Sequence, residues 1–503
     1  MNVAMLLEMA AEGAPDRVLV GTRQGGMTAS GLLSGARRAA ALFAGRSVAH
    51  VGMVDLNSDA VPVALFGAAI AGIPFAPVNY RLQDDQLRAI VTRLAPGLVI
   101  AGPDAVERIG AIDGIQIITT EEFLDAVASD GAAYEPPFVD PEEIAILLFT
   151  SGTTGEPKAA VLRHRHLASY IIGSVEYLSA DEGDAQLISV PSYHIAGVSA
   201  VLSNVYSGRR VVYLSAFEPE VWIDTVSTEG ITQAMVVPTM LGRILNVMEE
   251  KGTSLPSLRH LSYGGGRMPL ELIEHAMTVM PEVNYVNAYG LTETSSTIAV
   301  LTPADHRTAM GSTDPAVHRR LVSVGQPLPS IELEIRGPDG DPLPPGTRGE
   351  IYVRGEQVAG EYLGRSVLTE DGWFPTKDAG YLDQEGFLYL DGRLDDVIVR
   401  GAENLSPGEI EDTLIEHPSV AEAAVVGVPD QEWGEAVAAA VVLKDQAQVT
   451  QEELQAFVRE RLRSTKTPQF IQFRADMPYN ETGKLLRRVL RDELSQLAPA
   501  TRE

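Results

Sequence analysis

Through the first 300 residues, short apolar runs alternate with stretches whose apolar positions recur at helical spacing. VGMVDL (51–56) precedes an apolar, helix-like segment at 60–72, and IPFAPV (73–78) follows it. LVIA, IQIIT, IAILLFT, QLISV, VVYLS, AMVV, LSYGG and VNYVNAY continue the series, many with a helical segment between them. Unbroken apolar runs separated by helices predict buried, mostly parallel strands, hence an α/β architecture. Ligands of such folds gather at the carboxyl ends of the strands. From about 324 to 391 the texture changes to IELEIRG, GEIYVRG and GFLYLDG, punctuated by Gly and Pro. This predicts a β-rich subdomain closing a large N-terminal domain over 1–392.

A second boundary falls at DGRLDD (391–396), with a hinge at 393–396. Residues 397–503 read as a small, mobile α+β domain. It has a strand DVIVRG, a helix SPGEIEDTLIEH, strands VAEAAVVGV and AVAAAVVLK, and a helix from Thr450. Thr450 with Glu453 three residues on is a capping box, and Leu454, Phe457, Val458 and Leu462 keep helical spacing. A domain of this size on a short charged linker is suited to rotation.

Composition narrows the chemistry. A chain of 503 residues is too long for one core. Its hydrophobic content of 45% is that of an ordinary globular protein, and no apolar run reaches membrane-spanning length. MNVAMLLEMAAEG carries Glu8 inside its apolar stretch and lacks a basic leader, so it reads as an amphipathic helix and not a signal peptide. A cytoplasmic protein without membrane insertion is expected. With no Cys, disulfides, thiolate metal sites and a thiol nucleophile are excluded, so any thiol must arrive with a cofactor. A net charge of −29 argues against a nucleic-acid partner. Within that acidic chain, residues 459–491 carry nine Lys or Arg against three Asp or Glu. A solvated basic face is the simplest account of them, and a seat for a small polyanion is the alternative.

TSGTTGEPK (150–158) interrupts the apolar run IAILLFT. It is not a Walker A loop, which needs Gly-Lys followed by Ser or Thr at the start of a helix. Here Pro157 precedes Lys158 and Ala159 follows, so the stretch is expected to link two strands, IAILLFT and AAVLRH. Gly152 and Gly155 free the backbone to turn N–H groups toward an anion, and Ser151, Thr153 and Thr154 add hydroxyls.

This loop resembles the signature of the adenylate-forming superfamily, which includes acyl-CoA synthetases, the adenylation domains of peptide synthetases and firefly luciferase. Further motifs follow in that family's order: PSYHIAG (191–197), LSYGGGRMP (261–269), NAYGLTET (287–294), GEIYVRG (349–355), GWFPTKD (372–378), GRLDDVIVRGAEN (392–404) and PYNETGK (478–484). The resemblance covers nearly the whole chain. It implies an enzyme that joins a carboxylate to the α-phosphate of ATP, releases pyrophosphate, and passes the acyl group to a thiol. No protein nucleophile is needed; positioning and charge neutralisation carry the catalysis.

By the same resemblance, Thr150, Ser151, Gly152, Thr153, Thr154, Gly155 and Lys158 hold the β- and γ-phosphates. Gly264, Gly265 and Gly266 lie flat against adenine, with Tyr289 on its other face and Gly290 beside it. Thr292 donates to the α-phosphate and Glu293 ligates Mg²⁺. Asp378 accepts the ribose hydroxyls, Arg393 sits over ribose and phosphate, and Lys484 is the adenylation lysine. Asp395 matches the hinge position. Gly401, Ala402 and Glu403 line the tunnel for the pantetheine arm of coenzyme A, and the basic 459–491 stretch is available to its phosphates. His194 acts as a gate near the acyl carbon, and Gly197, Val237, Ser262 and Gly264 line the acyl pocket with it.

Four positions depart from the pattern. Lys377 stands where the family mostly has a small residue, Ala402 where a second glycine is usual, and Glu481 with Thr482 where small or basic residues are common. The stretches 194–200, 237–241 and 262–266 are small and apolar with no charge but His194, which favours a hydrophobic acid without an amino group or a second carboxylate. Arg267 is the one nearby cation for a dicarboxylate. The leading expectation is therefore an AMP-forming acyl-CoA synthetase using ATP, Mg²⁺ and coenzyme A. The alternative is a half-reaction specialist that only adenylates, loads a carrier protein, or thioesterifies a pre-made acyl-adenylate. A carrier protein and a homodimer are the partners left open.

Overall fold

The computed structural model describes residues 1–129, 134–150, 157–400, 403–430, 433–444, 446–479 and 485–497, apart from the side chains of Asp395 and Asn404. Ser151, Gly152, Thr153, Thr154, Gly155, Gly401, Ala402, Glu481, Thr482 and Lys484 lie outside that set, as does the Asp395 side chain. The chain forms two compact units. One comprises Met1–Gly264, Met268–Glu332 and Val353–Phe374; the other comprises Gly265–Arg267, Leu333–Tyr352 and Pro375–Glu503.

The larger unit is α/β, and among its described residues it holds a nine-stranded and an eight-stranded sheet. In the first, Ala185–Ile188, Gln233–Val236, His260–Gly264 and Asn284–Leu291 are successive parallel neighbours. Helices Pro238–Lys251 and Leu270–Val279 make the crossovers between the last three, as parallel pairing requires. In the second sheet, His50–Val54 pairs in parallel with Phe75–Pro77 and Gly97–Ala101. The helix Ala60–Ala71, AVPVALFGAAIA, is buried from Ala60 to Ile70. A helix with no polar face can only sit inside. It packs so tightly on Ala29–Gly45 that a Cβ on Gly67 would come within 2.5 Å of the Ala39 Cβ. Each large side chain in this core, such as Phe66 and Phe43, contributes roughly 1.5–3 kcal/mol of transfer free energy.

The run IAILLFT is the strand Ile144–Thr150, antiparallel to Lys158–Arg163, with Thr150 opposite Lys158. TSGTTGEPK is therefore the strand-to-strand connection that the sequence predicts. A short strand, Glu361–Tyr362, adds to the outer edge with Tyr362 opposite Ala160. Arg163 holds it through two hydrogen bonds to the Glu361 carboxylate, from Nε at 2.9 Å and from Nη2 at 2.7 Å. Such fork-to-carboxylate pairs are among the stronger polar contacts.

In the other unit, Phe374–Leu382 and Leu388–Arg393 form an antiparallel hairpin within a four-stranded sheet. The stretch beyond it is α+β. Val420–Asp430 and Gly434–Leu443 pair antiparallel, and Phe470–Arg474 lies parallel beside the latter. Their two faces feed two cores: Val425, Val437 and Val441 pack with Leu454 and Val458, while Val426, Ala438 and Ala440 pack with Leu490 and Leu494. The capping box forms, with Thr450 Oγ1 accepting from the Glu453 amide at 3.2 Å and Glu453 Oε2 accepting from the Thr450 amide at 2.8 Å. In the basic 459–491 stretch several cations are already held by carboxylates: Lys466 by Glu409 at 2.6 Å, Arg474 by Glu493 at 2.9 Å, and Arg487 by Glu411 at 2.6 Å.

Candidate active site

Four adjacent parallel strands end on the same side of the nine-stranded sheet, and each delivers an expected residue there. Beyond Ala185–Ile188 comes His194, whose carbonyl accepts from the Gly197 amide at 2.9 Å as helix Ile195–Ser207 begins. Its ring lies against Tyr193, with centroids 4.6 Å apart. Gly197 is tight: a Cβ there would approach the Pro191 carbonyl oxygen to 2.7 Å. After Gln233–Val236 comes Val237, which is buried and leads into the helix opened by Pro238. His260–Gly264 carries Ser262, whose hydroxyl donates to the Ala234 carbonyl at 3.3 Å. At its end Gly264 is buried, and a Cβ there would meet the Ala288 carbonyl oxygen at 2.4 Å, so only glycine lets the two strands approach this closely. Gly265, at φ +75°, and Gly266 are exposed. Asn284–Leu291 ends in Tyr289 and Gly290.

The shelf is backed by a buried hydrogen-bonded pair. His306 Nδ1 lies 2.8 Å from the Thr302 carbonyl, so that nitrogen carries the proton. Nε2 then accepts from the Tyr263 hydroxyl at 2.7 Å, next to Gly264. Burial holds the His306 pKa down to about 4 and raises that of Tyr263.

Past Tyr289 the chain makes a 3₁₀ turn, Thr292–Thr294. Glu293 is 9% exposed, and its Oε1 accepts from the Tyr362 hydroxyl at 2.6 Å. Its main-chain oxygen accepts from the amides of Ala359 and Gly360 at 2.8 and 3.1 Å. Buried Gln357 reaches the Thr294 and Thr297 carbonyls at 3.1 and 2.8 Å. Ser295 (φ +58°) and Ser296 (φ +119°) hold left-handed backbone, and the buried Ser295 Oγ has no hydrogen-bond partner among the described residues. Such strain costs about 1–3 kcal/mol per residue and persists only where the surroundings enforce it. Lys158 is exposed and lies over the Tyr362 ring, its Nζ 5.7 Å from the centroid. The foot of its loop is braced by Arg93, which donates to the Pro157 carbonyl at 2.6 Å.

In the other unit, Asp378 is 8% exposed and pairs across the hairpin with Arg393, Nε to Oδ1 at 2.8 Å. Lys377 takes a left-handed φ of +64°, a conformation that glycine adopts most readily. Its ammonium turns to Glu350 at 3.2 Å, away from the buried Asp378. Glu403 pairs in register with Arg400 and lies 3.6 Å from Arg463. Tyr479, at the start of the last motif, bridges Leu485 just after it, and its hydroxyl donates to Glu422 at 2.8 Å. Burial, and then the Glu422 charge, push the Tyr479 hydroxyl pKa up.

The larger unit thus brings together His194, Gly197, Val237, Ser262, Gly264, Tyr289, Gly290, Thr292 and Glu293, with Thr150 and Lys158 on the hairpin. Asp378 and Arg393 meet in the other. Sequence reasoning passed over Tyr362 and Gln357; the signal was the string EQVAGEYLG directly after GEIYVRG. The donors fit the expected groups. A buried carboxylate with one oxygen already held suits a hard dication that takes one or two carboxylates.

Comparison with known proteins gives the family. Residues 7–363 match the AMP-binding enzyme family, and 409–484 match the AMP-binding enzyme C-terminal domain. The chain is 34% identical over 480 residues to the fatty acid–[acyl-carrier-protein] ligase ScoC of Streptomyces coeruleorubidus, covering 92% of this chain and 89% of that one. It is 32% identical over 462 residues to a feruloyl-CoA synthase of an Amycolatopsis species, covering 90% of each. In structure it resembles the o-succinylbenzoate CoA synthetase MenE of Bacillus subtilis in complex with its acyl-adenylate intermediate. The TM-score is 0.80 at 29% identity, over 97% of this chain and 98% of that one. Among the described residues no helix is long and apolar enough to cross a membrane.

Proposed function

Because this chain belongs to the AMP-binding enzymes, in the CoA-ligase branch of the adenylate-forming superfamily, we propose that it activates a hydrophobic monocarboxylic acid. It is an ATP-dependent, AMP-forming acid–thiol ligase. The observation that carries the residue assignment is the convergence of His194, Val237, Gly264 and Tyr289 at the ends of four adjacent strands. One carboxylate oxygen of the acid attacks the α-phosphorus and pyrophosphate leaves, giving the acyl-adenylate. The sulfur of coenzyme A then attacks the acyl carbon, its proton is lost, and AMP departs.

In this reading adenine lies on Gly264–Gly266 under Tyr289, and Thr292 donates to the α-phosphate. The 150–158 loop with Lys158 holds the outer phosphates. Glu293 would hold Mg²⁺, which when bound neutralises phosphate charge. Lys484 supplies positive charge between acid and phosphorus. Domain 397–503 turns about a hinge at 393–396, exchanging Lys484 for the 401–403 segment between the two steps. The short 3₁₀ turn Leu394–Asp396, between two strands, is a suitable pivot.

The acid is apolar in this reading because the stretches 194–200, 237–241 and 262–266 carry no charge but His194. Arg267 is engaged by Asp412, which argues against a second carboxylate being read there. The ScoC likeness gives a carrier-protein thiol as the second acceptor to test. Mass spectrometry with Mg-ATP, coenzyme A and a pool of fatty, aryl and alicyclic acids should detect acyl-CoA and AMP together. Acyl-adenylate that reacts only with a holo carrier protein would move the acceptor to that carrier. No turnover of any acid, or of supplied acyl-adenylates, would sink the ligase reading for those acids.

The Asp378 carboxylate faces the ribose in this reading. An Asp378→Asn variant is expected to raise the KM for ATP by about tenfold or more, with the KM for the acid unchanged, as suits loss of hydrogen bonds to a charged acceptor. Steady-state kinetics with each substrate varied in turn checks this.

A further inference from the structure

The segment that follows GEIYVRG closes over the turn bearing Glu293. Gln357, Ala359 and Gly360 grip its backbone, and among the described residues the Tyr362 hydroxyl grips the Glu293 side chain. The ring of that tyrosine also lies beneath the Lys158 ammonium. One side chain therefore touches both the carboxylate assigned to the metal and the lysine assigned to the outer phosphates. We propose that Tyr362 is a positioning residue, which fixes the rotamer of Glu293 through its hydroxyl and the course of Lys158 through its ring face. The inference rests on the metal role given to Glu293 above.

The physical argument has two parts. A carboxylate on a strained turn keeps more than one rotamer unless one oxygen is held; a hydroxyl at 2.6 Å holds it without neutralising its charge. Outer partners of metal ligands typically change metal affinity 10- to 100-fold when removed. An ammonium over an aromatic face gains modest attraction and, more usefully here, a fixed direction. Tyr362 can do both because its own strand is pinned to the hairpin by Arg163 and Glu361.

The test is calorimetric binding of ATP across a magnesium chloride series, with thermal melts of each variant. Tyr362→Phe keeps the ring and loses the hydroxyl. It is expected to raise the magnesium concentration for half-maximal ATP binding about tenfold, with metal-free ATP binding and the melting temperature unchanged. Tyr362→Leu should also weaken metal-free ATP binding, because the surface under Lys158 is gone. Glu293→Gln is the control. If it shifts the magnesium series while Tyr362→Phe does not, the positioning role is overturned and the reading of Glu293 stands. If Glu293→Gln itself leaves the series unmoved, the metal role falls and this inference falls with it.

Discussion

Replacing Lys484 by alanine is expected to slow acyl-adenylate formation by about 10²- to 10³-fold, while supplied acyl-adenylate is still converted to acyl-CoA at a near wild-type rate. The magnitude is that of removing one preorganised charge from a site where negative charge gathers in the transition state. The asymmetry follows from the chemistry: the attack on phosphorus brings two anions together, whereas attack of sulfur on the acyl carbon expels AMP. Lys484→Arg should recover part of the first rate, since charge without the same reach remains. Rapid-quench sampling of acyl-AMP, run beside a thioesterification assay on synthetic acyl-AMP, separates the two steps. Equal loss in both would mean that Lys484 supports the fold or serves both steps, and the assignment would fail. Glu481, three residues away, is a departure from the usual pattern; Glu481→Ser in the same assay should leave the first step as fast or faster.

The second expectation concerns stability in acid. His164, His166 and His306 are each about 1% exposed. Burial lowers the pKa of His164 to about 4, with the chain's amino terminus adding to it; burial with Arg165 and Arg163 lowers His166 to about 3. His306 falls to about 4 by burial. All three sit near 6.5 when exposed in the unfolded chain, so below that pH the unfolded state binds more protons than the folded one. Stability is thus complete above pH 6.5 and declines as pH falls toward 4. Fully protonated, each of these histidines costs about 3–5 kcal/mol, at 1.36 kcal/mol for each pH unit of difference. That is comparable to the whole margin of a typical domain. Denaturant titrations at pH 7.5, 6.5, 5.5 and 4.5, read by the fluorescence of fully buried Trp222, should show the midpoint dropping steeply below 6.5. A midpoint that stays level through that window would show that these imidazoles do not remain neutral in the folded protein. His306→Gln should flatten the slope while lowering stability at pH 7.5, because Tyr263 loses its partner.

How much of this is visible in the sequence depends on whether a feature is periodic. The parallel strands are legible because both of their faces are apolar, and the helix at 60–71 because it has no polar side. The Thr450 capping box is legible because its partners lie three residues apart. The hairpin that carries Lys158 follows from a Pro–Lys–Ala order that no phosphate-binding helix start allows. Contacts across long separations leave no such trace: Tyr362 reaches Glu293 across 69 residues, and Arg487 reaches Glu411 across 76. The basic stretch looks like an exposed cationic face in sequence because the acids that pair with it lie elsewhere in the chain. Lys377 could be flagged as unusual, but its left-handed backbone and its turn toward Glu350 are properties of the folded strand alone. The same is true of Ser295 and Ser296, ordinary residues held in an uncommon backbone.

The hairpin beside the site also sets a rule for how this gene can change in length. Val161 belongs to one hydrophobic cluster and Leu162 to another, on opposite faces of the same sheet. Deleting or inserting a single codon between 158 and 163 would exchange those faces along the rest of the strand. It would bury the wrong side chains and swing Arg163 away from Glu361 in one event. Drift in length is therefore closed to this strand, and descendants of the sequence can vary it only by substitution at constant count.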